Sequence, residues 1–191
     1  MNKKIIIGNK MISKYTPTFI VAEMSANHNM DFERAKAIIK GVKDAGADAI
    51  KLQTYTADTL TIDCKEKAFE AKGAWEGVYL YDLYKEASMP WEWTETLQKI
   101  AKEEDIILFS SPFDFTSVDF LETMNVPAYK IASFENNHLP LIEKVAKTGK
   151  PMIISTGMAT LSDIEEAVKT ARDAGCKDLI LLKSISKMLN S

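Results

Sequence analysis

The chain has 191 residues, a formal net charge of −3, 46% hydrophobic residues and 27% charged residues, which suits a single globular domain with a sizeable core. The mild negative charge and the lack of a basic stripe exclude an electrostatic footprint for nucleic acid, and no run reaches the roughly 20 apolar residues of a membrane span. Cys64 and Cys176 lie far apart, with no CxxC or Cys/His cluster around them, so the cysteine usage predicts a reduced, cytoplasmic protein.

The opening MNKKIIIGNKMISKY places two lysines before three isoleucines, but Gly8, Asn9 and Lys10 break the apolar run too early for a signal peptide. TFIVAEMS (18–25) is the first predicted strand. In DFERAKAIIKGVKDAG, Ala35, Ile38, Ile39 and Val42 recur at helical spacing, with Asp31 placed to cap the start and Gly46 to end the run. ADAIKLQT (47–54) is the second strand, and an irregular stretch, 55–89, follows it. PWEWTETLQKIAKEED predicts a helix with Pro90 in its first turn. Strand IILFSS (106–111), helix DFTSVDFLETM, strand PAYKIAS, helix LPLIEKVAKTG, strand KPMIIST, helix LSDIEEAVKTARDAG and strand DLILLKS complete the chain.

Strands that are apolar nearly throughout and alternate with helices predict an α/β fold with a parallel sheet. The first turn lacks GxGxxG, and there is no GxxxxGK[ST] phosphate loop. Polar residues instead gather at the carboxyl end of strand after strand: Glu23 and Ser25, Lys51 and Gln53, Ser110 and Ser111, Lys130 and Ser133, Ser155 and Thr156, Lys183, Ser184 and Ser186. An open sheet concentrates its ligand site at one switch point, whereas a barrel brings every strand end to one mouth. The expectation is a (β/α)8 TIM barrel, present as about six βα units.

Lys51 and Lys130, with Lys183 as a third candidate, then point toward a common space. Ammonium groups gathered in a low-dielectric mouth repel one another and imply an anion. Serine hydroxyls and the Gln53 amide add donors that suit phosphate and carboxylate rather than an apolar ligand. Pairing with Glu23 or Glu135 accounts for any single lysine equally well, but not for the row of hydroxyls. Those two acids can orient a substrate hydroxyl, move a proton, or simply pair with the lysines. His28 and His138 follow strand ends without metal-ligand spacing. A surface or capping role is the expectation for His138, while a mouth role and a structural role stay equally open for His28. Trp75, Tyr79, Tyr81, Tyr84, Trp91 and Trp93 are expected mostly to pack the long insertion, with a lid or sugar-stacking role as the alternative. Glu165, Glu166, Lys169 and Arg172 form a solvated helix face.

FIVAEMSANHN, GADAIKLQTYTADT, LYDLYKEASMPWEW, FSSPFD, PAYKIASFE, GKPMIISTGMAT and LILLK occur in this order. Together they closely resemble the sialic-acid synthase family, from about Phe19 to Lys183, and within it the pseudaminate-forming branch. The resemblance implies a barrel that condenses phosphoenolpyruvate with an open-chain acetamido sugar, 2,4-diacetamido-2,4,6-trideoxy-altrose in that branch, to a nine-carbon 2-keto acid and phosphate. An N-acetylneuraminate or legionaminate synthase, or a non-catalytic fragment, is the alternative. The resemblance further implies a divalent metal (manganese, magnesium or cobalt) and a homodimer. By position it assigns Lys51, Lys130, Ser133, Ser155 and Ser111 to phosphoenolpyruvate, with Gln53 beside them and Lys183 and Ser186 carried over as further positions; Ser110 is a substrate-binding candidate from its strand-end place. Glu23 corresponds to an acid near the reacting centre and Glu135 to a sugar contact. Two further βα units, the metal-binding histidines they carry and a small antifreeze-like domain are expected to be absent. Six strands are expected to leave the first and the last with unpaired edges.

Overall fold

The computed structural model describes residues 4–183. The chain begins with an antiparallel hairpin, β1 (Ile5–Ile7) and β2 (Lys10–Ile12). Its turn requires a positive φ of +58° at Gly8, and a Cβ there would meet the Ile107 side chain at 3.1 Å. Sequence reading treated this segment only as an interrupted apolar run. In the fold, Ile5 and Ile7 point inward and Ile6 outward.

Six parallel strands follow in chain order, β3 (Val21–Glu23), β4 (Ala49–Thr54), β5 (Ile107–Pro112), β6 (Tyr129–Ile131), β7 (Met152–Ser155) and β8 (Leu179–Leu182). Between them run α1 (Phe32–Asp44), α2 (Ala57–Leu60), α3 (Leu80–Ala87), α4 (Trp93–Glu103), α5 (Phe115–Thr123), α6 (Leu139–Lys147) and α7 (Leu161–Asp173). Asp31 caps α1 by accepting from the Glu33 and Arg34 amides at 2.9 and 3.2 Å, and Gly46, at φ +76°, ends that segment. Pro90 lies in a turn ahead of α4 rather than in its first helical turn. The strand around Lys130 is shorter than its apolar run, because a 3-10 turn at Ser133–Glu135 takes over.

Residues of alternating parity divide the sheet into two faces. One face is covered by helices: Ile50, Leu52 and Leu108 pack with Ile39, Leu97 and Ala101, while Tyr129, Ile131, Met152 and Ile154 pack with Leu121, Leu141, Val145 and Ala171. On the other face, Val21, Ala49, Phe109, Ala128, Ile153 and Ile180, drawn from all six strand segments, share one cluster with Ile5 and Ile7. A flat sheet of six strands would hold its outer strands about 24 Å apart at the usual strand spacing. A shared cluster therefore requires the sheet to curl, with the hairpin closing the amino end of the curl. This is the curvature of a (β/α)8 barrel carrying six of its strands. Among the described residues, β3 and β8 each have one sheet neighbour, and Leu181 and Leu182 on β8 are exposed.

The stretch 55–89 is more ordered than its sequence suggests. It holds α2 and α3, tied by Tyr81 Oη donating to Asp58 Oδ1 at 2.9 Å and by a 2.6 Å ion pair between Lys65 and Asp82. Trp91 stacks on Phe120, 4.8 Å between ring centroids, and donates from Nε1 to the Tyr55 carbonyl. Trp93 packs edge-on against Phe32 and His28. These rings pack the insertion, as expected, whereas Trp75 is exposed.

Candidate active site

The concave face changes character along its length. Near the amino ends of the strands it is apolar, and two residues further along β3 to β7 it becomes polar. Val21 gives way to Glu23, Ala49 to Lys51 and Gln53, Phe109 to Ser111, Ala128 to Lys130, and Ile153 to Ser155. Register places Glu23 directly beside Lys51, and their side chains meet in an ion pair of 3.5 Å. Lys51 is only 6% exposed. Burial lowers its pKa, and the Glu23 carboxylate opposes that shift.

Lys130 is buried to the same degree. Its Nζ donates to the Ile131 carbonyl at 2.6 Å, and it forms no ion pair with any described carboxylate. Burial first, and then the charge of Lys51, pushes its pKa down to about 8, against weaker opposing pulls from Glu23 and Glu135. The two ammonium groups thus face the same space and act on each other. Lys51 carries its own acid, so the unbalanced positive charge belongs to Lys130.

Donors surround that charge. Gln53 pairs in register with Ser111, and one residue beyond the Ser110–Tyr129 pairing Ser111 lies beside Lys130. Ser25 donates to the Gln53 carbonyl oxygen at 3.3 Å, which leaves the Gln53 amide nitrogen as that side chain's donor group. Among the described residues the buried Ser111 Oγ has no hydrogen-bond partner, and neither has Glu135 Oε2. Burial raises the Glu135 pKa, so its carboxyl keeps its proton more readily than an ordinary glutamate. Ser133 and Glu135 sit in the 3-10 turn after β6, and Ser155 ends β7. Asn136, not singled out from the sequence, binds these two strand ends together: its buried Nδ2 donates to the Ser155 and Gly157 carbonyls at 3.5 and 3.2 Å. The only local sign of it is the polar run Glu-Asn-Asn after a strand. Ser25, Asn29, Met30 and Met158, in loops at this end of the sheet, adopt positive φ, backbone strain of the kind found where a site constrains the chain.

Two strand-end candidates, Ser110 and Lys183, fall elsewhere. Ser110 has the parity of Leu52 and Leu108 and faces the helices, with its Oγ 2.7 Å from Thr54 Oγ1. Adjacent serines on a strand point to opposite faces, so only Ser111 enters the mouth. Lys183 is exposed and has opposite parity to Ile180, which faces the curl, so among the described residues the cradle contains two lysines and not three. Ser184 and Ser186 lie outside the described residues. His138 caps α6, its Nδ1 accepting from the Leu141 amide at 3.1 Å. His28 is buried against Trp93 behind the sheet, with Nδ1 accepting from the Met30 amide and Nε2 unpartnered. Among the described residues no three His, Cys, Asp or Glu side chains group to hold a metal ion. Glu23 is paired with Lys51, so the described residues do not fit a divalent metal.

A buried lysine pair ringed by strand-end hydroxyls is a site type that relatives can test. Residues 38–188 match the NeuB family. The chain belongs to the NeuB family. This NeuB chain is 46% identical over 171 residues to a pseudaminic acid synthase of Helicobacter pylori, covering 89% of the chain and 50% of the relative. It is 37% identical over 172 residues to an N,N'-diacetyllegionaminic acid synthase of Legionella pneumophila, covering 90% and 48%. Its fold superposes on the crystal structure of N-acetylneuraminic acid synthetase from Leptospira borgpetersenii in complex with citrate, with a TM-score of 0.85, 31% identity, and coverage of 97% of this chain and 60% of that one. The NeuB chain thus spans about half the length of the curated relatives it matches. No described helix is long and apolar enough to cross a membrane.

Proposed function

We propose that this chain forms the phosphoenolpyruvate-binding part of a nonulosonic acid synthase, a cytoplasmic, homodimeric transferase. It would join phosphoenolpyruvate to an acetamido sugar and release phosphate. The observation that carries this reading is the surplus buried cation at Lys130, beside an ion-paired Lys51 and the unpartnered Ser111 hydroxyl. A small, multiply anionic ligand supplies the missing negative charge and accepts the idle hydrogen bond. The citrate complex of the Leptospira relative fits a fold that accommodates compact polyanions. In the reaction the lysines hold phosphate and carboxylate while the methylene carbon attacks the sugar aldehyde. Water then adds at C2, and the cationic cradle stabilises the departing phosphate. The greater identity to a pseudaminic acid synthase than to a legionaminic acid synthase favours 2,4-diacetamido-2,4,6-trideoxy-altrose as the sugar.

Calorimetric titration tests the anion. Phosphoenolpyruvate should bind saturably, and Lys51→Met should weaken it about tenfold or more, the usual worth of a charge-assisted contact. Wild-type protein that gives no saturable heat, or a Lys51→Met variant that binds as wild type, removes the reading. The sugar is tested by adding it to the phosphoenolpyruvate-loaded protein. Heat from the altrose derivative, and none from the sugar precursors of legionaminate or N-acetylneuraminate, is the expected result.

A further inference from the structure

We propose that the Lys130 amine is also a nucleophile, forming a Schiff base with the C2 carbonyl of a small α-keto acid anion such as pyruvate. This chemistry lies outside the condensation, which uses lysine only as a charge, and it stands or falls separately from it.

The geometry separates the two buried lysines into different tasks. Lys51 is tied to Glu23, and although burial lowers its pKa, that carboxylate opposes the shift and favours the ammonium form that suits a substrate carboxylate. Among the described residues Lys130 has no carboxylate partner, and its nitrogen is held at the strand end by a backbone carbonyl. A desolvated lysine next to another cation is the arrangement that frees an amine for attack on a carbonyl. With its pKa pushed down to about 8, roughly a tenth of the amine is neutral near pH 7. The buried Ser111 hydroxyl is idle and available to the carbonyl or carboxylate oxygen. Glu135 acts electrostatically on Lys130, holds its proton above the ordinary carboxyl range and leaves Oε2 unpartnered, so it is an acid without a present task.

The steps balance. The Nζ lone pair attacks C2 of the keto acid and forms the C–N bond as the C=O π bond opens, and one proton of the attacking nitrogen passes to that oxygen to give a neutral carbinolamine. Proton transfer from the protonated fraction of Glu135 to the hydroxyl lets it leave as water; the C=N bond forms as the C–O bond breaks, giving the protonated imine with the Glu135 carboxylate as its counter-ion. Hydrolysis reverses the sequence and restores both the amine and the protonated Glu135.

The test is reductive trapping on the whole chain. Wild-type protein is incubated with pyruvate and cyanoborohydride near neutral pH, and labelled peptides are mapped by mass spectrometry. The expected result is one reduced pyruvyl group per chain, on Lys130, formed about tenfold or more faster than on any other lysine because of its larger neutral fraction. Lys130→Arg keeps the charge and should lose the label. Free phosphoenolpyruvate should compete with labelling. Label on Lys51, label scattered over exposed lysines such as Lys99 and Lys147, or no label overturns the proposal. The mapping on wild-type protein decides even where a variant fails to fold. Labelling without phosphoenolpyruvate binding sinks the synthase reading alone, and binding without labelling sinks this one alone.

Discussion

Lys130→Met is expected to stabilise the fold by about 2 kcal/mol near pH 7 while it removes phosphoenolpyruvate binding. The pKa falls from an ordinary 10.5 to about 8 on folding, which corresponds to about 3 kcal/mol of unfavourable free energy in holding the charged form. Methionine fills a similar flexible volume without charge, and the loss of the hydrogen bond to the Ile131 carbonyl returns about 1 kcal/mol of that gain. The sign with pH follows from proton counting. Because the folded pKa is depressed, the unfolded chain holds more protons between about pH 8 and 10.5, so wild-type stability rises with pH across that window. The penalty is complete below pH 8. Lys51, also lowered, acts in the same direction. Tyr55 acts oppositely at higher pH, since burial pushes it up to about 12 and the unfolded phenol ionises first. Urea denaturation near pH 7 and near pH 9 provides the check. Wild-type protein should gain stability between those values, and the variant should gain much less. A variant less stable than wild type, or a wild type that loses stability over that range, means the lysine already has its counter-charge and the cradle needs no anion.

That prediction rests on the part of the site most legible in the sequence. A lysine inside an otherwise apolar strand is a local signal: Lys51 and Lys130 each interrupt a buried run, and parity with Ala49 and Ala128 puts both on one face. Helix ends were legible for the same local reason, through Asp31 and Gly46. What the sequence hid depends on register or on distant partners. Choosing between Ser110 and Ser111 requires knowing that Leu52 pairs with Ser110, so that the Thr54 hydroxyl comes within reach. Lys183 shares its motif style with Lys51 but falls one residue out of phase with Ile180 and Leu182. Asn136 acts through carbonyls 19 and 21 residues away, and the polar run around it does not reveal such distant partners. The resemblance to sialic-acid synthases names Ser111 and not Ser110 among the phosphoenolpyruvate positions, and the register supplies the physical reason, since Ser110 faces the helices.

The amino-terminal hairpin is the other feature the sequence concealed, since three-residue strands are too short to establish a period of two. Its alternation makes a sharp paired prediction. Ile7→Asp is expected to abolish cooperative folding, and Ile6→Asp to leave the melting curve nearly unchanged. Ile7 is fully buried among Ala49, Phe109, Ala128 and Ile153, whereas Ile6 is 61% exposed. Losing the Ile7 contact costs about 2–3 kcal/mol of apolar burial, and an unpaired carboxylate in that cluster adds several more. The sum is comparable to the roughly 5–15 kcal/mol by which a domain is stable at all, while an exposed substitution stays within about 0.5 kcal/mol. The damage should also reach the site, because Phe109 pairs in register with Lys51 and forms the apolar layer on which the cradle rests. Thermal melts followed by circular dichroism compare the two variants directly. Melting temperatures for Ile7→Asp and Ile6→Asp within a degree or so of each other would mean that the hairpin merely lies against the barrel, and that the lysines are held by the strands alone.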